Sequence, residues 1–277
     1  MINFEKLHGA GNDFILINGA DKKLPEYSTL AKKICDRHFG IGADGMIVVK
    51  KSNAADLRMV FYNADGTEAP MCGNGIRCFS KYAYENEIIS KICFRVETLA
   101  GIMEPELNII NGIVESVRVN IGSPQLSTNS FPINTKEETF LDKEIEISEE
   151  KYNISVLSMG PIHAVVKVEG IDKVDVKKTG PSIENHQLFP KKTNVNFFEI
   201  IDENNIRVLT WERGVGQTLA CGTGASSVAY ICYKLYNTNN KVKIHLLGGI
   251  LEIEIIDDVI YMTGPAKSVC KGVFYLD

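Results

Sequence analysis

Two short stretches decide how this chain reads: Met71-Cys72-Gly73-Asn74-Gly75-Ile76 and Ala220-Cys221-Gly222-Thr223-Gly224-Ala225. Each sets a cysteine before a Gly-x-Gly pair. Each also follows a turn, Asn63-Ala64-Asp65-Gly66 in one case and Arg213-Gly214-Val215-Gly216 in the other. Offsets of 4, 7, 8 and 11 from the cysteine give Ile76, Phe79, Ser80 and Ala83 in the first, and Ala225, Val228, Ala229 and Cys232 in the second. That spacing is the period of an α-helix, so each stretch predicts a helix with one face of apolar or small residues. The cysteines lie 149 positions apart (72 to 221), about half of the 277-residue chain. Gly122-Ser123-Pro124 and Gly264-Pro265-Ala266 form a second echo, each behind a β-rich run. The chain therefore reads as two similar α+β domains, each wrapping strands around one helix, with the boundary near residue 121.

Outward from these helices, short β-rich runs punctuated by Gly, Asn, Asp and Pro dominate. They predict strands over 2–7, 14–18, 46–50, 57–62, 92–98 and 113–120, then 154–158, 164–168, 196–201, 206–211, 242–246, 251–256 and 259–262. Ser28 reads as the N-cap of a helix over 29–38, and 182–188 as a short helix stopped by Pro190.

Composition narrows the function classes. Apolar residues make up 44% and charged residues 23%, which excludes disorder, collagen-like repeats and membrane bundles. The balance of 30 Lys+Arg against 35 Asp+Glu gives a net charge of -5 with no basic block, so a nucleic-acid partner is not expected. Residues 1–8 carry charges where a signal peptide needs an apolar core, and no apolar run approaches a membrane span. A cytoplasmic protein without a membrane partner is the expectation. Seven cysteines without a C-x-x-C pair argue against a disulfide framework and a structural metal. Cys35, Cys78, Cys93 and Cys232 read as small core hydrophobes.

Cys72 and Cys221 read differently. A cysteine at the mouth of a helix meets unpaired amides and the positive end of the dipole, which favours the thiolate. The adjacent glycines let main-chain amides close on a carboxylate. Two such sites, one per domain, suggest a cleft with a sulfur on each wall. Opposed thiols suit inversion at a carbon, because one removes a proton from one face while the other delivers a proton to the opposite face. A cysteine-protease reading through His8 or His163 leaves the duplicated motif unexplained. A non-catalytic thiol redox or binding module is the reading from another class, and it predicts a reversible disulfide between Cys72 and Cys221. The loop His8-Gly9-Ala10-Gly11-Asn12-Asp13-Phe14 matches neither G-x-G-x-x-G nor a P-loop.

Taken together, HGAGNDF at 8–14, DRHFGIGADG at 36–45, YNADGTEAPMCGNGIRC at 62–78 and WERGVGQTLACGTG at 211–224 resemble the diaminopimelate epimerase family nearly end to end. HLLGGILE at 245–252 and MTGPA at 262–266 continue the likeness. The resemblance implies two pseudo-symmetric α+β domains, 1–121 with 265–277 and 122–264, each a curved, mostly antiparallel sheet or barrel around a central helix. It implies a cofactor-independent, cytoplasmic, homodimeric isomerase that interconverts LL- and meso-2,6-diaminopimelate in lysine and peptidoglycan synthesis. Cys72 and Cys221 match the catalytic pair, Cys72 abstracting from the LL-isomer. His163 and Glu212 match polar supports of the reacting end. Gly73, Asn74, Gly222 and Thr223 match the amides that hold the reacting carboxylate. Asn12, Asn63, Asn194, Glu212 and Arg213 match substrate-binding positions, with Arg213 on the distal carboxylate. No metal is implied. The chain departs from the family pattern at Pro161, where the family often has a substrate-touching Asn, at Gly45 (often Gln) and at Cys270 (Tyr in some members at the dimer contact). The alternative on the same scaffold is a racemase of another amino acid.

Overall fold

A computed structural model of the protein describes residues 1–20, 24–147 and 150–276. The chain divides into two compact units, Met1–Asn120 with Thr263–Asp277 and Ile121–Met262. The first half of the chain runs β1 (Ile2–Gly9), β2 (Asn12–Asn18), α1 (Tyr27–Cys35), β3 (Gly45–Lys50), β4 (Leu57–Asn63), α2 (Gly73–Glu85), β5 (Val96–Thr98), β6 (Gly101–Met103), β7 (Glu106–Ile110) and β8 (Ile113–Gly122). The second runs β9 (Phe140–Ile147), β10 (Glu150–Ser158), β11 (Ile162–Lys167), α3 (Val176–Glu184), β12 (Asn194–Asp202), β13 (Asn205–Glu212), β14 (Gly216–Thr218), α4 (Gly222–Leu235), β15 (Lys241–Leu246), β16 (Gly249–Ile256), β17 (Val259–Gly264) and β18 (Lys267–Phe274).

The two halves repeat one topology. In the first, β1 and β2 pair antiparallel, β2 and β3 parallel, β3 and β4 antiparallel, β4 and β5 parallel. In the second, β10-β11, β11-β12, β12-β13 and β13-β15 follow the same alternation. Parallel neighbours need a crossover, and a helix supplies it each time: α1 and α2 in the first half, α3 and α4 in the second. The register repeats as well. Phe14 faces Gly45 and Met46 faces Tyr62 in the first; His163 faces Asn194 and Val195 faces Trp211 in the second. Each position is offset from its counterpart by the same 149 residues that separate the two cysteines.

The strand orders, β18-β1-β2-β3-β4-β5-β6 in the first unit and β17-β16-β15-β13-β12-β11-β10-β9 in the second, are open. Of the two expected forms, sheet or barrel, both units take the open and mostly antiparallel sheet. α2 lies against β1, β2 and β3, and α4 against β10 to β13, β15 and β16. Burial of these helices exceeds a single face: every residue from Asn74 to Ala83 is buried, as is every residue from Gly224 to Cys232. A fully buried Ile76 or Phe79 contributes about 2 kcal/mol by leaving water.

Several local expectations need correction. α1 starts earlier than 29 because Glu26, not Ser28, is the cap; its carboxylate accepts the amides of Ser28 and Thr29 at 2.9 and 2.7 Å. It stops at Cys35, where Asp36 Oδ1 draws the His38 and Phe39 amides into a turn. The helix expected over 182–188 lies instead at Val176–Glu184, capped by Asp175 and carrying Pro181 inside. β6, β7, β9, β14 and β18 were not expected; β9 and β18 carry many charged or exposed residues and lack the apolar alternation that marks a strand. Cys93 is exposed rather than a core residue, whereas Cys35, Cys78 and Cys232 are buried. Burial pushes the Cys35 and Cys78 thiols up to about 12, as suits inert packing residues.

Candidate active site

Cys72 is the N-cap of α2, in extended backbone at φ -140°, ψ 123°. Its sulfur plays the part that a Ser or Asn oxygen usually plays, accepting the Gly75 amide at 3.4 Å. Cys221 caps α4 in the same way, at φ -121°, ψ 114°, but makes no side-chain cap bond. Each thiol thus sits at the positive end of a helix, whose first-turn amides are those of Gly73 and Asn74 in one case and of Gly222 and Thr223 in the other.

In the first unit, Cys72 Sγ donates to Asn12 Oδ1 at 3.6 Å and Asn74 Nδ2 donates to the same oxygen at 3.3 Å. Asn12 Nδ2 donates to Asp44 Oδ2 at 2.6 Å. A carboxylate only accepts, so Asp44 fixes which end of the Asn12 amide faces the sulfur. Asp44 is itself held by Arg37 at 2.8 Å, and Arg37 forks onto Asp13 at 2.9 and 3.2 Å. Burial raises the Asp13 carboxyl, yet hydrogen bonds from Arg37 and Lys6 outweigh it and leave its pKa below the ordinary value. Behind the helix mouth lies Arg77, fully buried, donating to the Gly73 carbonyl at 3.0 Å, Asn74 Oδ1 at 2.9 Å and the Pro265 carbonyl at 3.3 Å. Asn63, at the end of β4, faces Gly45 across the sheet and donates to Thr67 Oγ1 at 3.0 Å. Gly45 has no room for a side chain, because a Cβ there would lie 2.6 Å from the Phe61 ring.

In the second unit, Cys221 Sγ lies 3.5 Å from Thr223 Oγ1, which lies 3.1 Å from His163 Nε2. Asn196 Nδ2 stands 3.1 Å from His163 Nδ1. A second cluster shapes the turn after β13. The Arg213 amide donates to Asn194 Oδ1 at 2.9 Å, and Asn194 Nδ2 donates to the Ile162 carbonyl at 3.1 Å. Arg213 Nη1 reaches the Lys191 carbonyl at 3.2 Å. Glu184, buried at the end of α3, accepts from Trp211 Nε1 at 2.7 Å and the Gly214 amide at 3.3 Å. Asn194 therefore acts here on the backbone of Arg213, holding the Glu212-Arg213 pair in place. Pro161 precedes β11, its carbonyl accepting the Met159 amide at 2.9 Å.

Sequence reading missed Asp44, Arg77, Glu184 and Asn196. Asn196 left a signal, a polar residue inside the otherwise apolar run Val195-Asn196-Phe197-Phe198. Arg77 and Glu184 left none, because a charged residue on a helix normally reads as solvated. Among the described residues, no group of three or more His, Cys, Asp or Glu could hold a metal ion, and no helix is long and apolar enough to cross a membrane.

His163 is fully buried, and burial, followed by the Arg213 charge, pushes its pKa from 6.5 down to about 3. A histidine with a lowered native pKa binds more protons when unfolded. Its contribution to stability is therefore full above about 6.5 and is lost as pH falls toward 3. The expected loss at pH 5 is about 2 kcal/mol relative to neutral pH. Phe14 occupies the same place in the first half, so His163→Phe is the matched variant. Denaturant titrations at pH 7 and pH 5 should show a shallower pH slope in it; an unchanged slope would mean that His163 does not titrate as its burial requires.

A profile of the diaminopimelate epimerase family matches residues 4–127 and 155–269. A protein of Alkaliphilus metalliredigens named diaminopimelate epimerase is 49% identical over 99% of this chain and 97% of its own length. One of the same name from Caldanaerobacter subterraneus is 46% identical over 98% of each. Among solved structures, a probable proline racemase from Agrobacterium radiobacter superposes with a TM-score of 0.72 at 16% identity, covering 100% of this chain and 94% of that one. A PhzF-family phenazine biosynthesis protein from Bacillus anthracis gives 0.69 at 16% identity, covering 99% of each. These structures share the fold.

Proposed function

Because the chain belongs to the diaminopimelate epimerase family, we propose that it interconverts LL- and meso-2,6-diaminopimelate, with Cys72 and Cys221 as the two bases. One sulfur, as thiolate, takes the proton from one face of the α-carbon. The C–H electron pair passes onto the carbon and its carboxylate. The other sulfur, as thiol, then gives its proton to the opposite face, and the pair returns into the new C–H bond. Nothing is oxidised or reduced, so the step calls for no redox cofactor. By the family pattern Cys72 abstracts from the LL-isomer and Cys221 from the meso-isomer.

One observation carries this reading: in both halves of the repeat a cysteine caps a glycine-led helix. The amides of Gly73, Asn74, Gly222 and Thr223 offer donors to the carboxylate where charge builds in the transition state. Asn12 and His163 support the two sulfurs. Arg213, held by Asn194, forks onto the distal carboxylate, while Glu212 and Asn63 complete the polar lining. The enzyme then serves lysine and peptidoglycan synthesis as a cytoplasmic homodimer.

The test is turnover of the LL-isomer in D2O, followed by proton NMR. Newly formed meso-isomer should carry one α-deuterium, because its proton comes from a thiol in exchange with solvent. Meso product without deuterium would contradict the mechanism, and faster turnover of proline, glutamate or lysine would reassign the substrate.

A further inference from the structure

The fold repeats its positions at an interval of 149 residues, and at two of them the halves diverge in kind. Phe14 and Ile47 are packed core residues in the first half; their counterparts are His163 and Asn196, which are also fully or almost fully buried. Apolar residues satisfy the architecture at these places. Two buried polar side chains in the other copy therefore do something the fold does not require.

Their hydrogen bonds run in one direction. Asn196 Nδ2 lies 3.5 Å from the Ala164 carbonyl, and a carbonyl only accepts, so the nitrogen end of the amide faces that side. The other end agrees, since Asn196 Oδ1 accepts the Thr210 hydroxyl at 3.3 Å. With the amide so fixed, Nδ2 donates its second hydrogen to His163 Nδ1 at 3.1 Å. Nδ1 is then the acceptor of a neutral imidazole, and the ring proton sits on Nε2. Nε2–H donates to Thr223 Oγ1 at 3.1 Å, which leaves the Thr223 hydroxyl hydrogen to point at Cys221 Sγ, 3.5 Å away.

We infer that Asn196 is a positioning residue: it locks His163 in the Nε2–H tautomer so that Thr223 presents a hydrogen-bond donor to the sulfur of Cys221. The inference rests on Cys221 being one of the two bases. The lock holds Cys221 in readiness as a thiolate, the form that opens the reaction from its own face. Cys72 has a different partner, the accepting oxygen of Asn12. Cys72 also accepts the Gly75 amide, so the two sulfurs draw a donor from different sources, Cys72 from the backbone and Cys221 from a threonine hydroxyl.

Asn196→Asp tests this with almost no change in shape. A carboxylate only accepts, so His163 Nδ1 must carry a proton beside it. Nitrogen-15 NMR of imidazole-labelled protein reads the tautomer directly. The wild type should show one buried histidine protonated at Nε2 and not at Nδ1, and the variant should show Nδ1 protonated. Alkylation of Cys221 by iodoacetamide at pH 7, followed by peptide mass spectrometry, should slow at least about tenfold in the variant, the effect of losing one hydrogen bond to a charged acceptor. Cys72 alkylation should change less than about twofold. Thr223→Val should reproduce the Cys221 slowing and leave the histidine tautomer as it is, which keeps the test open if Asn196→Asp fails to fold. A wild-type His163 protonated at Nδ1 would overturn the inference. So would unchanged Cys221 alkylation in either variant. None of these readings uses an amino-acid substrate, so they stand apart from the assignment of diaminopimelate.

Discussion

Cys72→Ala and Cys221→Ala should each lose epimerisation by at least about a thousandfold, yet keep opposite halves of the exchange reaction. The reason lies in what each variant retains of the proposed two-thiol mechanism. With Cys221 gone, Cys72 still abstracts the proton on its own face. No donor waits on the other side, so the carbanion can only take a proton back from Cys72, whose hydrogen exchanges with solvent. In D2O the LL-isomer should gain α-deuterium without changing configuration, and the meso-isomer should stay unlabelled at that centre. With Cys72 gone the pattern reverses. Proton NMR of both isomers with both variants reads all four outcomes. Epimerisation surviving in both variants would refute the two-thiol mechanism. Labelling of the same isomer by both would refute the assignment of one face to each sulfur. A redox module would label nothing at all.

The helices that carry these sulfurs were legible because the signal is local. A cysteine, two glycines and an i, i+3, i+4, i+7 face predict a helix mouth without any knowledge of tertiary packing, and α2 and α4 begin at Gly73 and Gly222. The two-domain α+β class followed from the same repeat. What escaped depends on long-range partners. Glu26 caps α1 although glutamate is not a favoured cap, because its longer side chain reaches two amides at once. Glu184 and Arg77 are charged residues whose burial is decided by distant segments, a Trp211-Gly214 turn in one case and the Pro265 carbonyl in the other. Strands β9 and β18 pair through their backbones while exposing much of their side-chain surface, so composition conceals them.

The repeat supplies its own control for the unit that holds His163. Gly75 and Gly224 occupy the same place, one turn into α2 and α4, and both approach the residue on the sheet below. A Cβ on Gly75 would meet Ile47 Cδ1 at 3.1 Å, the far end of a flexible side chain. A Cβ on Gly224 would meet Asn196 Oδ1 at 2.2 Å. Asn196 is fully buried and bonded to Ala164, His163 and Thr210, so it has no solvent to retreat into and cannot move without breaking those bonds. Alanine in a helix gains up to about 1 kcal/mol over glycine, which offsets the mild crowding at Gly75. Gly75→Ala should therefore stay within about 1 kcal/mol of wild type in denaturant unfolding. Gly224→Ala should lose about 3 kcal/mol or more, combining overpacking with buried polar groups stripped of their partners. Its epimerase activity should fall along with the lock on His163. Equal losses in the two variants would mean that the Asn196 amide yields as easily as the Ile47 methyl, and that the polar half of the repeat is no more rigidly specified than its apolar twin.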